Sequence, residues 1–337
     1  MKDSNTARDI FINKEGELRS GWRVIAFFLA FAVCLMLLGV LTSVAGMLIP
    51  ALGRLLVAQE SPGLAGVMFR SGLSQALSLV SALAASALCA RLLERRSFAS
   101  TGFKLHKGWL RDFLYGSILG AAALGIAVVI ARAAGAVQFT VQINDFAALA
   151  GSFIFLFIFF LVAAAFEEVL FRGFAFQALV HNLGPGAALA ITSVLFGLAH
   201  LTTPDASLFS TVNIMLAGVW LGAAYLATRS LWLAIGLHYS WNFVMVFLFG
   251  LPVSGHNDFD KLAWLDGEAA APVWLSGGSY GPEGGLAATL AVILSTIFIW
   301  KSRLFSPTEE MLAEIEHGRS ERQFLSLSLE DSREPRP

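Results

Sequence analysis

Three short segments of the sequence carry acids, histidines and an amide that could act together on a peptide bond. Their polar residues are Glu167, Glu168 and Arg172 in the first segment, His200 in the second, and His238 and Asn242 in the third. All three segments lie in long apolar runs. Ionisable side chains are costly to place inside a membrane helix, so residues of this kind indicate function by default.

The spacing of the acids predicts two different environments for them. Glu168 precedes Arg172 by four residues, which is the favourable acid-before-base order on a helix, so this pair can neutralise itself. Glu167 is turned about 100° away on the same helix. It is therefore left without an obvious partner on its own helix.

The other two segments each place two side chains on one helix face. Phe196 and His200 are four residues apart, and so are His238 and Asn242. The remaining histidines are typical of loops, interfaces or the tail, and they are His106, His181, His256 and His317.

This set of residues indicates hydrolysis by an activated water. A carboxylate next to a histidine can hold and deprotonate water. A second histidine and an amide, one turn apart, can donate hydrogen bonds to the oxyanion that forms when an amide carbonyl is attacked. An acyl-enzyme mechanism is not indicated, because Gly-x-Ser-x-Gly is absent and the only cysteines, Cys34 and Cys89, lie far from these segments.

Three alternatives stay open at this point. A zinc ion could be held by Glu167, His200 and His238, although His-Glu-x-x-His is absent. A non-enzymatic immunity or scaffold protein could bind a peptide in the same cavity. A proton-coupled transporter could use Glu167 and His200 as a relay, but the polar residues cluster at one depth, which disfavours a path to both sides.

The composition identifies the elements that must position these residues as membrane helices. Of the 337 residues, 56% are hydrophobic and 14% are charged, against about 25% charged in a soluble domain. The mean hydropathy is +0.70. These values exclude a soluble globular enzyme and a disordered protein. With 23 Lys and Arg against 24 Asp and Glu, the chain carries no excess of positive charge, which excludes a nucleic-acid partner.

Apolar runs predict an all-α, polytopic membrane helical bundle with about eight transmembrane helices. The runs are 22–49, 71–93, 110–131, 147–180, 186–203, 208–228, 231–251 and 285–301. The fourth run is too long for one span, and we expect a turn near Gly184 and Pro185 between it and the fifth run. Glu167 and His200 stand at similar distances on either side of this turn, so they can face each other in the cytoplasmic half of the bundle or near its midplane.

The basic residues orient the predicted bundle. With both termini in the cytoplasm, 19 of the 23 Lys and Arg lie inside, and the four outside are Arg54, Arg70, Arg132 and Lys261. We therefore expect a polar cytoplasmic N-terminal segment at 1–20, the bundle at 21–303, and a polar acidic cytoplasmic tail at 304–337. An outer loop spans 251–284, where Trp264, Trp274 and Tyr280 are expected at the level of the lipid headgroups.

The ordered set Glu-Glu-x-x-x-Arg, Phe-x-x-x-His and His-x-x-x-Asn resembles the motifs of the CPBP family. These are the CAAX prenyl protease and bacteriocin-processing intramembrane endopeptidases, also called Abi proteins. The resemblance covers about 148–250, and every polar motif position is kept. It implies an eight-helix core whose site opens laterally toward the cytoplasmic leaflet, and a glutamic mechanism without a metal cofactor.

The resemblance also implies a role for each motif residue. Glu167 and His200 would activate water, while His238 and Asn242 would stabilise the oxyanion. Glu168 and Arg172 would shape the site, and Phe196 would pack under His200.

The resemblance implies a membrane-embedded or lipidated protein or peptide as substrate. Eukaryotic members cut prenylated proteins that end in Cys-a-a-X, and bacterial members are linked to bacteriocin immunity, peptide maturation or envelope regulation. We expect an integral protein of a bacterial plasma membrane, with the active site toward the cytoplasmic side.

Overall fold

The computed structural model describes residues 10–13, 17–60, 63–143 and 145–314, and over these residues the chain is mainly helical. The helices are α1 (Ser20–Leu48), α2 (Pro50–Leu56), α3 (Leu64–Leu93), α4 (Trp109–Ala133), α5 (Phe146–Arg172), α6 (Phe174–Ala199), α7 (Leu208–Thr228), α8 (Leu231–Phe243), α9 (Val273–Ser276) and α10 (Leu286–Lys301). A π-helical turn, Val244–Leu248, extends α8. Short 3-10 turns occur at Phe98–Thr101, Asp260–Leu262, Gly278–Tyr280 and Pro282–Gly284.

The all-α membrane bundle expected from the composition is confirmed. In the described part of the chain, six helices are long and apolar enough to cross a membrane, and Phe146–Ala199 counts as one of them. The last apolar run forms α10, which has only 16 residues. Every predicted apolar run is mostly helical, while the count of eight spans and the orientation of the termini stay predictions.

Two breaks of the helical backbone, one expected and one not, separate the acids from His200. The two helices separate at Gly173, whose backbone leaves the helical region at φ −72° and ψ −124°. A side chain there would collide with the carbonyl oxygen of Val169. Gly184, at φ 82° and ψ 165°, then breaks the helical backbone of α6 ahead of Pro185. The ring of Phe171 packs 5.1 Å from that of Phe196, so the chain reverses direction between them and the turn expected near Gly184 and Pro185 is confirmed.

A two-stranded antiparallel sheet was not expected from the sequence. β1 (Val137–Val141) pairs with β2 (Leu265–Ala269), with Phe139 opposite Gly267. The pairing ties the end of α4 to the 251–284 loop. Within that loop Tyr280 is only 3% exposed, whereas Trp264 and Trp274 are exposed, and the expected place of these residues at the lipid headgroups stays a prediction.

Helix α8 is the most enclosed of the long helices, because α4 packs directly against its backbone. Side chains at Gly116 and Gly120 of α4 would collide with the carbonyl oxygens of Leu233 and Leu237, respectively. From α8, Gly236 meets the backbone of α4 in the same way. Of the residues of α8, only Trp232 is not buried. This close contact fixes the helix that carries His238 and Asn242.

The bundle has two polar ends, which we name the basic end and the hairpin end. The basic end comprises 17–23, 94–108, 228–232 and 302–314. It is held by Arg23 bonded to Glu94 at 3.0 Å and by Lys104 bonded to Glu314 at 2.7 Å. The hairpin end comprises 49–60, 134–143, 201–207 and 250–285. There the side-chain amide of Gln142 donates to the carbonyl oxygen of Asp260 at 2.7 Å.

Candidate active site

A cavity of about 510 Å³ lies inside the bundle and receives the polar residues of all three segments. It is enclosed by α3, α5, α6, α7, α8, α10 and the first part of the 251–284 loop. The predicted site residues that line it are Glu167, Phe196, His200, His238 and Asn242. Glu168 and Arg172 lie behind this wall, and both are fully buried.

His238 is held by the acid that does not line the cavity. Its Nδ1 donates to Oε1 of Glu168 at 2.9 Å. The same oxygen accepts from Arg172 at 3.1 Å. A carboxylate on Nδ1 fixes both the orientation and the tautomer of an imidazole. The nitrogen of His238 that remains available to the cavity is therefore Nε2.

Arg172 balances the buried charge behind the site. Its second terminal nitrogen donates to the carbonyl oxygen of Gly218 at 3.1 Å, which joins α5 to α7. The guanidinium carbon lies 4.4 Å from the centre of the Phe196 ring, in cation–π geometry. Phe196 thus separates the ion pair from the cavity.

Glu167 presents a carboxylate oxygen that is ready for a ligand. Its Oε2 lies 3.8 Å from Nε2 of His238, which is too long for a direct hydrogen bond. Within the described ranges this buried oxygen has no hydrogen-bond partner. The separation suits a water molecule or a substrate atom between the two groups.

His200 has the same nitrogen available as His238. His200 follows the last residue of α6, and its Nδ1 donates to the carbonyl oxygen of Phe196 at 2.8 Å. The Phe196 ring centre lies 4.9 Å from the imidazole of His200 and 6.1 Å from that of His238. The two imidazoles therefore flank one aromatic ring, and each keeps Nε2 for the cavity.

Asn242 adds a polar group one helical turn beyond His238. The residue is 7% exposed, and its Oδ1 has no hydrogen-bond partner among the residues that the structure describes. A buried amide without a partner is costly unless a ligand satisfies it. Its place on the cavity wall indicates that the missing partner is a molecule in the cavity.

The candidate zinc ligands of the site are not grouped around one point in the described part of the chain. Across the described ranges, no three His, Cys, Asp or Glu side chains are grouped so that they could hold one. The candidate zinc set of Glu167, His200 and His238 lines one cavity without forming such a group. The absence of a metal cofactor, which the resemblance implies, stays a prediction.

One wall of the cavity was missed by sequence reasoning. It consists of polar residues near the start of α3, namely Arg70, Ser71, Ser74 and Gln75, and of loop residues His256, Asn257 and Asp258. The α3 residues fall at helical spacings of four in an apolar run, which is a readable signal. The loop residues have no comparable pattern, since only the tertiary fold brings them back over the site.

The remaining histidines lie apart from the site centre. His106 is 1% exposed at the basic end and lies 3.0 Å from the hydroxyl of Ser230. His181 is exposed on α6. His317 lies outside the described residues, as does most of the acidic tail.

The fold and the site define an integral membrane protein with a buried carboxylate, histidine and amide centre. Residues 149–244 match the family described as Type II CAAX prenyl endopeptidase Rce1-like. This segment contains all three motifs, so the resemblance to the CPBP (CAAX protease) family is confirmed. No curated protein and no solved structure matches the chain.

Proposed function

We propose that this protein is an intramembrane endopeptidase that hydrolyses a peptide bond of a membrane-associated substrate. The observation that carries the proposal is the position of Glu167. Its unpartnered carboxylate oxygen shares a cavity with two imidazoles whose Nδ1 atoms are both engaged. The matched family is a family of endopeptidases, which supports the same reaction class.

In the proposed reaction, Glu167 and His200 activate a water molecule. The carboxylate accepts one proton of the water, and Nε2 of His200 helps to hold the oxygen in place. The hydroxide that develops attacks the carbonyl carbon of the scissile peptide bond. The proton then passes to the leaving amine as the carbon–nitrogen bond breaks, which returns the carboxylate to its starting state.

His238 and Asn242 stabilise the oxyanion in this proposal. His238 can donate through Nε2 while Nδ1 donates to Glu168 only if the ring carries both protons. Carboxylates at 2.9 Å and 3.8 Å from its two nitrogens balance that charge. The amide nitrogen of Asn242 supplies a second donor. Removing one donor of such a pair typically lowers the turnover rate about 10²- to 10³-fold.

Two classes of substrate suit the proposed reaction. Lipidated CAAX-like proteins and bacteriocin-like peptides are both candidates. In either case the substrate must reach a cavity whose wall is formed by apolar helices and by one polar loop.

The proposal is tested by comparing the peptides of membranes that contain the wild-type protein or Glu167→Gln. We expect peptides that the wild type removes to accumulate with Glu167→Gln, because an amide cannot accept the proton of water. The matched control is Glu309→Gln, which changes an exposed glutamate at the basic end and should behave as wild type.

Identical peptide profiles for the wild type and Glu167→Gln would contradict the proposal. Activity that a strong chelator abolishes and Zn²⁺ restores would instead favour the zinc alternative. Protection or peptide binding that survives in Glu167→Gln would favour a non-enzymatic immunity or scaffold protein.

A further inference from the structure

We propose that Gln75 of α3 belongs to a subsite that binds the main chain of the substrate beside the catalytic groups. Resting on the proposed function, this makes the substrate a polypeptide segment that is extended, rather than helical, next to the scissile bond. The subsite comprises Gln75 and the hydroxyls of Ser71 and Ser74, and we name it the α3 subsite. All three residues line the cavity.

Three side-chain oxygens in the wall of the cavity are buried without a hydrogen-bond partner among the described residues. They are Oε2 of Glu167, Oδ1 of Asn242 and Oε1 of Gln75. The proposed reaction uses the first two residues and leaves Gln75 without a role. Because a buried acceptor without a partner is costly, we expect the oxygen of Gln75 to meet a hydrogen-bond donor on a ligand.

Helix packing places the α3 subsite and the proposed oxyanion donors on either side of Glu167. Helix α5 packs against both α3 and α8. Met68, just before the subsite in α3, packs against the cluster of buried side chains that contains Phe160 of α5. Phe160 and Glu167 are seven residues apart and both line the cavity, so they share one face of α5. Around the cavity wall, Glu167 therefore lies between the α3 subsite and the pair of His238 and Asn242.

The face of α5 that lines the cavity offers a substrate no hydrogen bonds apart from those of Glu167. Its other lining side chains are Phe159, Phe160 and Ala163. A peptide that crosses this face carries N–H and C=O groups that lose water and must be bonded by the protein. A carboxamide supplies an acceptor and two donors, and a hydroxyl supplies both functions. The α3 subsite can therefore replace the hydrogen bonds that the main chain gives up.

The carboxamide of Gln75 selects main-chain groups of an extended segment. Its Oε1 can accept from a peptide N–H while its Nε2 donates to a peptide C=O, as a neighbouring strand would. In the interior of a helix both groups are already bonded within the helix, so they are not available to Gln75. Main-chain hydrogen bonds of this kind give affinity without reading the side chains. The subsite thus sets the position of the chain relative to Glu167 rather than its sequence.

The α3 subsite is tested by protection of Ser74→Cys in the full-length protein in detergent. The native Cys34 and Cys89 are replaced by alanine, and Glu167→Gln is included so that no probe is cleaved. Ser74 is exposed and lines the cavity, so a maleimide can reach a cysteine there. The probe is an acetylated, amidated hexapeptide of alternating leucine and alanine, which is too short to form a stable helix. We expect it to slow labelling of Ser74→Cys and to leave labelling of Lys107→Cys, at the exposed basic end, unchanged.

The contact with Gln75 is identified with a set of probes that are each N-methylated at one peptide nitrogen. Because N-methylation removes one N–H donor, we expect one probe of the set to need an about 2- to 10-fold higher concentration for half protection. In Gln75→Leu, which removes the hydrogen bonds of the side chain, that probe should bind as well as the unmethylated one. The matched control is Gln138→Leu at an exposed position of β1, which should keep the original preference.

Two results would overturn the proposal. One is an unchanged labelling rate of Ser74→Cys up to the solubility limit of the hexapeptide. The other is an equal effect of N-methylation with Gln75 and with Gln75→Leu, since Gln75 would then bind water or serve packing alone.

These measurements do not depend on catalysis. If the effect of N-methylation requires Gln75 but membranes with the wild type and Glu167→Gln have identical peptide profiles, the proposed function fails while the α3 subsite stands. If Glu167→Gln blocks processing but the effect of N-methylation does not require Gln75, the protease stands and the α3 subsite fails. The two failures are therefore distinguishable.

Discussion

At the residue scale, adjacent glutamates have separate roles because a helix turns them apart. Glu168 is fully buried with Arg172 and His238, whereas Glu167 reaches the cavity. The spacing of four residues predicted the contact between Glu168 and Arg172. It could not predict the contact between Glu168 and His238, because those residues are 70 apart in the sequence and meet only through helix packing.

Replacing Glu168 by glutamine should remove most of the activity although Glu168 does not line the cavity. The neutral amide is a weaker acceptor for Nδ1 of His238, so the ring loses its fixed orientation and its balancing charge. We expect turnover to fall about 10²-fold or more. Single-turnover cleavage measures this effect, and Glu309→Gln is the control. Wild-type turnover in Glu168→Gln would contradict the role given to the Glu168–His238 hydrogen bond.

Arg172→Met should destabilise the protein because it leaves Glu168 buried without its cation. Breaking a buried pair by removing one partner typically costs about 3–5 kcal/mol. We expect a lower free energy of unfolding in detergent, and partial recovery when Glu168→Gln is added. Arg91→Met at an exposed position of α3 is the control. If the double variant regains stability but not cleavage, the ion pair serves packing and Glu168 also serves catalysis. Equal stability of Arg172→Met and the wild type would rule out the proposed ion-pair role.

At the element scale, the site depends on where α8 lies against α4 and α5. The apolar runs allowed these helices to be predicted, because hydropathy is a local property of the sequence. The break at Gly173 was not predicted, since a lone glycine in an apolar run is compatible with a continuous helix. The β1–β2 pair was also missed, because its strands are 5 residues each and are separated by four long helices.

Gly120→Ala should lower turnover by displacing α8. A methyl group at this position would collide with the carbonyl oxygen of Leu237, next to His238. We expect a fall in turnover that exceeds any fall in thermal stability, because small shifts of catalytic groups are costly to the reaction. The control is Gly125→Ala on the same helix, where the added methyl group meets nothing within 4 Å. Equal turnover in the two variants would show that this helix contact does not position His238.

At the scale of the whole molecule, basic residues gather at one end of the bundle and the β1–β2 pair lies at the other. The count of basic residues predicts that the basic end is cytoplasmic, and this orientation stays a prediction. The polar loop wall of the cavity could not be predicted, because it depends on the return of the 251–284 loop toward α3 and α8. The site residues were found because charge is scarce in this chain, at 14% of all residues.

The basic end should make the stability of the molecule depend on pH. Burial lowers the pKa of His106 from its ordinary value of 6.5, and the nearby Arg111 and Lys104 act in the same direction, whereas Asp112 and Glu310 oppose it. The unfolded chain therefore takes up a proton that the folded imidazole resists. Stability should be greatest above about pH 6.5 and should fall as the pH drops below that value.

His106→Gln should flatten this dependence when thermal unfolding in detergent is followed as a function of pH. His256→Gln changes a solvated histidine and should keep the wild-type slope. Equal slopes for the wild type and His106→Gln would show that another group causes the loss of stability in acid.

The central claim is that Glu167 activates water for peptide hydrolysis. The most direct test incubates purified protein in detergent with a peptide identified from the membrane comparison, in water labelled with heavy oxygen and with a strong chelator present. The account predicts that the wild type and Glu309→Gln release products with one labelled oxygen in the new carboxylate, and that Glu167→Gln releases none. Labelled product from Glu167→Gln at the wild-type rate would contradict it.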